Sequence, residues 1–84
     1  MAQVEVSPAA LEHFAKLPCA IKERVRKIIH RLKSWPEVSG AKPLTGPLAG
    51  CYRLRTGDYR ILIRVRGETV IVSKIGHRRD VYEN

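Results

Sequence analysis

The sequence predicts an α+β domain in the order β-α-α-β-β-β, an antiparallel sheet with a helical hairpin packed on one face. Three observations predict it. Across residues 51–75 apolar and polar side chains alternate with period two, and glycine-led pairs at Gly57-Asp58 and Gly67-Glu68 interrupt the alternation. That is the pattern of half-buried strands joined by tight hairpin turns. Across residues 8–34 the apolar positions recur every three or four residues instead, the spacing of amphipathic helices. Finally, 84 residues supply one thin core and no second one, so residues 1–84 are read as a single domain. Strands that follow a helical hairpin imply a sheet of three or four strands covered on one face and open on the other.

The elements follow in order. Residues 2–6 alternate Val4 and Val6 with Gln3 and Glu5, a short strand. Ser7-Pro8 reads as a helix cap followed by proline at the first helical position. Leu11, Phe14 and Ala15 then form the apolar side of a first helix, which Pro18 stops. A second helix spans about 19–34, with Ile21, Val25, Ile28, Ile29 and Leu32 as its buried stripe and Lys22, Arg24, Arg26, Lys27, Arg31 and Lys33 on its other faces. The short join at Pro18 makes the pair an antiparallel hairpin. Trp35-Pro36 is expected to cap the core. Residues 37–50 hold three glycines and two prolines and read as a loop, pinned by Leu44 and Leu48. Two hairpins complete the chain, with residues 69–75 as the last strand.

Charge narrows the function. Lys and Arg total 16 against 8 acids, a formal +8, and eight of the cations fall in residues 1–50 and eight in 51–84. The charge therefore belongs to the folded body, and it calls for an anionic partner. No apolar run reaches the length of a membrane span, and the opening MAQVEV looks like a strand rather than a signal peptide. Cys19 and Cys51 have no ligand spacing around them, so neither a zinc site nor a disulfide framework is expected. Both read as small packing residues in a cytoplasmic protein. His13 and His30 stand alone on helices and read as solvent-facing or edge-of-core residues.

The first hairpin concentrates the chemistry. Pairing Thr56 with Tyr59 puts Leu54 opposite Ile61 and Tyr52 opposite Ile63, so the apolar faces match. The same register sets Arg55 opposite Arg60, with Arg53 one diagonal step away and Arg64 and Arg66 further along that face. Like charges directly across a ladder are destabilising. Ordinary strand cations guarding an edge could account for one arginine; several on one face, followed by Gly76-His77-Arg78-Arg79, form a seat for phosphates.

The stretches KPLTGPLAGCYRLRTGDYRILIRV and VSKIGHRRDVY, in this element order, resemble the RelE/ParE toxin superfamily of toxin–antitoxin modules, and its RelE branch in particular. The resemblance covers nearly the whole chain. It implies a RelE-like fold and a ribosome-dependent endonuclease that cuts mRNA in the A site without metal or other cofactor. It also implies a cognate antitoxin as partner, contacts to 16S rRNA on the ribosome, and no membrane. Matched position by position, the family's paired basic residues fall on Arg53 and Arg55, and its catalytic positions on Arg60, Arg78 and Tyr82. Best-known members carry lysines at the first pair. An arginine keeps its proton at working pH, so phosphate binding is the role expected there. Arg64 and Arg79 join Arg53 and Arg55 as expected RNA or ribosome contacts. Tyr82 is the expected base, because surrounding cations favour a tyrosinate, and His77 is its rival. The alternative is a toxin that only binds, either a gyrase poison of the ParE type or an inactive antitoxin-binding relative.

Overall fold

The structure, a computed structural model, describes residues 2–79. Its elements are β1 (Gln3–Val6), α1 (Pro8–Ala15), α2 (Cys19–Arg31), β2 (Lys42–Pro43), β3 (Cys51–Thr56), β4 (Tyr59–Arg66) and β5 (Thr69–His77), with single 3-10 turns at Leu32–Ser34 and Gly46–Leu48. The strands form one sheet in the order β1-β5-β4-β3-β2. The three long strands are antiparallel, as the alternation requires. Two additions make the sheet five-stranded: β1 joins β5 in parallel, and the two-residue β2 pairs with the outer edge of β3. The parallel pair has a packing reason. Val70 and Val72 are fully buried, and a strand this deep in the sheet needs partners on both edges.

Both hairpin turns use glycine at positive φ, Gly57 and Gly67 at 59° each, while no other residue type takes positive φ among the described residues. Glycine alone at the first turn position is the type II′ geometry. It delivers the expected register: Thr56 pairs with Tyr59, Arg55 with Arg60, Leu54 with Ile61 and Tyr52 with Ile63.

The main core lies between this sheet and the helices. Val25, Ile28 and Leu32 of the second helical segment are buried in the same cluster as Leu54, Ile61, Ile63, Val70, Val72 and Ile75. Trp35 closes one end, packing edge-on against Tyr52 with ring centroids 4.7 Å apart. The first helix differs from expectation. Ser7 caps it as foreseen, its Oγ accepting the Ala10 N–H at 3.1 Å, but its buried residue is Ala10, with Phe14 half-buried against the core, and Leu11 is 57% exposed. The Ser7 hydroxyl also donates to the Ser73 carbonyl at 3.3 Å. That bond ties the start of α1 to β5, so the residue facing the sheet is the small Ala10, which permits close approach.

The second sheet face is not fully open. Cys51 and Leu62 point to it and are buried, covered by Leu44 with Leu48 packed alongside. The loop of residues 37–50 thus builds a satellite core under one part of the basic face. Cys19, in contrast to Cys51, is exposed at the start of α2, so only one of the two cysteines is a packing residue. No helix among the described residues is long and apolar enough to cross a membrane.

Candidate functional site

Strand alternation sends Leu54, Ile61 and Ile63 toward the helices, and therefore Arg53, Arg55, Arg60 and Arg64 to the opposite face. Directly paired residues lie about 4.5–5.5 Å apart at Cα, which holds Arg55 against Arg60. Arg53 sits opposite Leu62 on one side and Lys42 of β2 on the other. Lys42, Arg53 and Arg55 line a shallow depression of about 280 Å³ together with Gly40 and Ala41. Arg64 lies farther along, opposite Cys51 and Ile71, and is exposed. The cations thus form a band running from the β2 edge across β3 to β4.

The end of β5 completes one side of this band. Gly76 pairs with Arg60 and brings no side chain that could cover it. Arg78 continues the ladder past the strand end, its N–H donating to the Asp58 carbonyl at 2.7 Å. Its guanidinium lies 3.9 Å from the Asp58 carboxylate in an exposed pair, a contact of small energetic weight that keeps the arginine beside the hairpin turn. Arg79 is exposed and its N–H donates to His77 Nδ1 at 3.2 Å. Tyr82 lies outside the described residues.

His77 departs from expectation, and a bulge is the reason. Leu62 pairs with Lys74 but Ile63 pairs with Val72, so Ser73 is an extra residue in β5, its hydroxyl donating to the Leu62 carbonyl at 3.1 Å. A single inserted residue reverses the facing of everything beyond it. Ile75 and His77 turn to the helix side, where His77 meets the Tyr59 ring at 5.4 Å, edge to face. Lys74 and Gly76 turn to the arginine side. Regular alternation from Val70 and Val72 would have put His77 among the arginines. The sequence did hold a signal for the bulge, since Ile75 falls out of step with Val70 and Val72. It also held one for Lys42, because Lys-Pro is a common guard on an edge strand, but residues 37–50 read as loop.

Among the described residues no cluster of three or more His, Cys, Asp or Glu side chains could hold a metal ion. What the band offers is positive charge and hydrogen-bond donors on a rigid sheet, an arrangement suited to phosphate oxygens.

Comparison with known proteins agrees with this architecture. A family model described as "ParE toxin of type II toxin-antitoxin system, parDE" matches residues 4–82. Toxin RelG of Mycobacterium tuberculosis is 33% identical over 81 residues, covering 94% of this chain and 93% of that one. Toxin RelE3 of Methanocaldococcus jannaschii is 31% identical over 70 residues, covering 80% of each. Among solved structures, a chain of the toxin–antitoxin complex RelBE2 from Mycobacterium tuberculosis superposes with a TM-score of 0.79 at 30% identity, over 92% of this chain and 98% of that one.

Proposed function

This chain belongs to the ParE toxin family of type II toxin–antitoxin systems, within the RelE/ParE superfamily, and we propose that it is a ribosome-dependent endonuclease that cuts mRNA in the A site. The observation that carries the proposal is the Arg55–Arg60 pair across β3 and β4, flanked by Arg53, Lys42 and the Gly76 gap. Like charges held this close cost stability, a cost that an RNA phosphate bound between them offsets.

In the proposed reaction the ribose 2′-oxygen attacks the adjacent phosphorus. The new P–O2′ bond forms as the P–O5′ bond breaks, leaving a 2′,3′-cyclic phosphate and a 5′-hydroxyl. Arg60, with Arg53 and Arg55, holds the non-bridging oxygens, on which charge grows in the transition state. Arg78 hydrogen-bonds the leaving 5′-oxygen as charge builds on it, and that oxygen takes its proton from water. Tyr82 takes the 2′-hydroxyl proton. His77, on the helix side of the sheet with Tyr59, is the weaker candidate for that step. Arg64 and Arg79 extend the grip along the RNA and ribosome. The protein partner is an antitoxin, as in the RelBE2 complex, with acidic segments that neutralise the basic band.

The test is primer extension on mRNA from translating ribosomes incubated with the purified chain. Cleavage within A-site codons, absent without ribosomes, is the expected result. The family's ParE description favours a second reading, a toxin that binds and poisons gyrase. Intact mRNA together with growth arrest and trapped gyrase would replace the first reading with the second.

A further inference from the structure

On the helix side of the sheet, where the end of α1 meets β5, lies a pocket of about 280 Å³ whose lining includes the side chains of His13, Lys16, Leu17, Tyr59, Ile75 and His77. Its chemistry is one-sided. His13 Nδ1 accepts the Ile75 N–H at 3.3 Å, and His77 Nδ1 accepts the Arg79 N–H at 3.2 Å. An imidazole that accepts at Nδ1 carries its proton at Nε2, so both lining rings are N–H donors at Nε2. Tyr59 adds a hydroxyl, and Lys16 adds an ammonium group. None of the described lining residues is acidic. Donors from α1, β4 and β5 surround one small volume, and the partner that satisfies them is a compact anion with several acceptor oxygens. A carboxylate has two oxygens in one plane, whereas a phosphate presents oxygens in four directions, which suits donors arriving from three elements.

We propose that this pocket is a phosphate-binding site, separate from the arginine band and facing the other way across β5. Inorganic phosphate and a phosphate carried by a nucleotide share the chemistry the pocket recognises. The proposal does not depend on the nuclease reading: of the lining residues only His77 enters that reaction, as its weaker candidate base, and anion binding is read without cleavage.

The experiment follows the imidazole resonances of His13 and His77 by NMR in the full chain, titrated with inorganic phosphate at constant ionic strength. Saturable shifts of both rings are expected, with Lys16→Gln weakening the midpoint by about tenfold, the loss of one charge-assisted contact. Arg55→Ala, on the opposite face, should leave the midpoint in place. A nucleoside 3′-monophosphate run in parallel identifies the source: tighter binding than inorganic phosphate points to a nucleotide, and equal binding to the free ion, either of which sustains the site. Unresponsive histidines in the parent chain, a response matched by chloride, or tighter binding of acetate than of phosphate would each overturn it. The last outcome would mark the pocket as a seat for an acidic protein side chain.

Discussion

Arg60 and Tyr82 divide the proposed reaction between charge and proton transfer, and single substitutions separate the two. Arg60 is half-buried beside the hairpin, where a preorganised donor is worth more than in water. Arg60→Ala should lower ribosome-stimulated cleavage by about 100-fold or more and weaken binding as well, both readable from single-turnover cleavage and ribosome pelleting. Tyr82→Phe removes only a hydroxyl. If that hydroxyl moves the proton, binding should stay near the parent level while cleavage falls by about 10²–10⁴-fold, the usual weight of a general acid or base. A phenylalanine variant as active as the parent would take the role away from Tyr82. His77→Ala is the informative comparison, because the bulge has turned that ring to Tyr59's side of the sheet. It should cost less cleavage than Tyr82→Phe, and a larger cost would return the base assignment to histidine.

Helix α1 shows how a correct element can sit with the wrong face inward. Its cap, Ser7, and its first helical residue, Pro8, behave as their chemistry requires, yet of the stripe read as Leu11, Phe14 and Ala15 only Phe14 packs against the core. Ala10 is fully buried and Leu11 mostly exposed. Ala10→Leu should therefore destabilise the fold by about 1–3 kcal/mol through overpacking, and Leu11→Ala should change it by no more than about 0.5 kcal/mol. Urea denaturation measures both, and the reverse order would refute the facing. An eight-residue helix has too few turns for hydropathy to fix its phase, and its tether to Ser73 is a tertiary bond that local sequence does not encode. The thirteen-residue α2 has enough turns, and its stripe of Val25 and Ile28, continued by Leu32 in the turn that follows, was legible. The β3–β4 register was legible for a different reason: a two-residue turn with glycine first permits one pairing, and the Arg55–Arg60 contact follows from it. Where register depended on the Ser73 bulge, the facing of Lys74, Gly76 and His77 rested on one sign alone, Ile75 falling out of step with Val70 and Val72, because one inserted residue leaves composition unchanged while reversing every later side chain.

At the scale of the whole molecule, the +8 charge is spread over a body 31 × 27 × 24 Å across, and salt decides how much of it a partner feels. The screening length is about 30 Å at 0.01 M salt and about 8 Å at 0.15 M. At low salt the whole body therefore attracts any polyanion, and the α2 cations contribute as much as the hairpin. At physiological salt the two faces are electrically independent, and only cations within a few ångströms of a phosphate count. If Arg53, Arg55, Arg60 and Arg78 each contact one phosphate of a single strand, log K should fall against log salt with a slope of about −3, from roughly −0.7 per contact. Arg55→Ala should make that slope shallower by about 0.7 around physiological salt. Lys27→Ala, on the exposed side of α2, should leave the slope there unchanged while still weakening binding at 0.01 M. Fluorescence anisotropy with a labelled single-stranded RNA measures all three. Equal effects of Arg55→Ala and Lys27→Ala at physiological salt would mean that RNA is held by net charge alone. The basic band of β3 and β4 would then lose its claim to be the site.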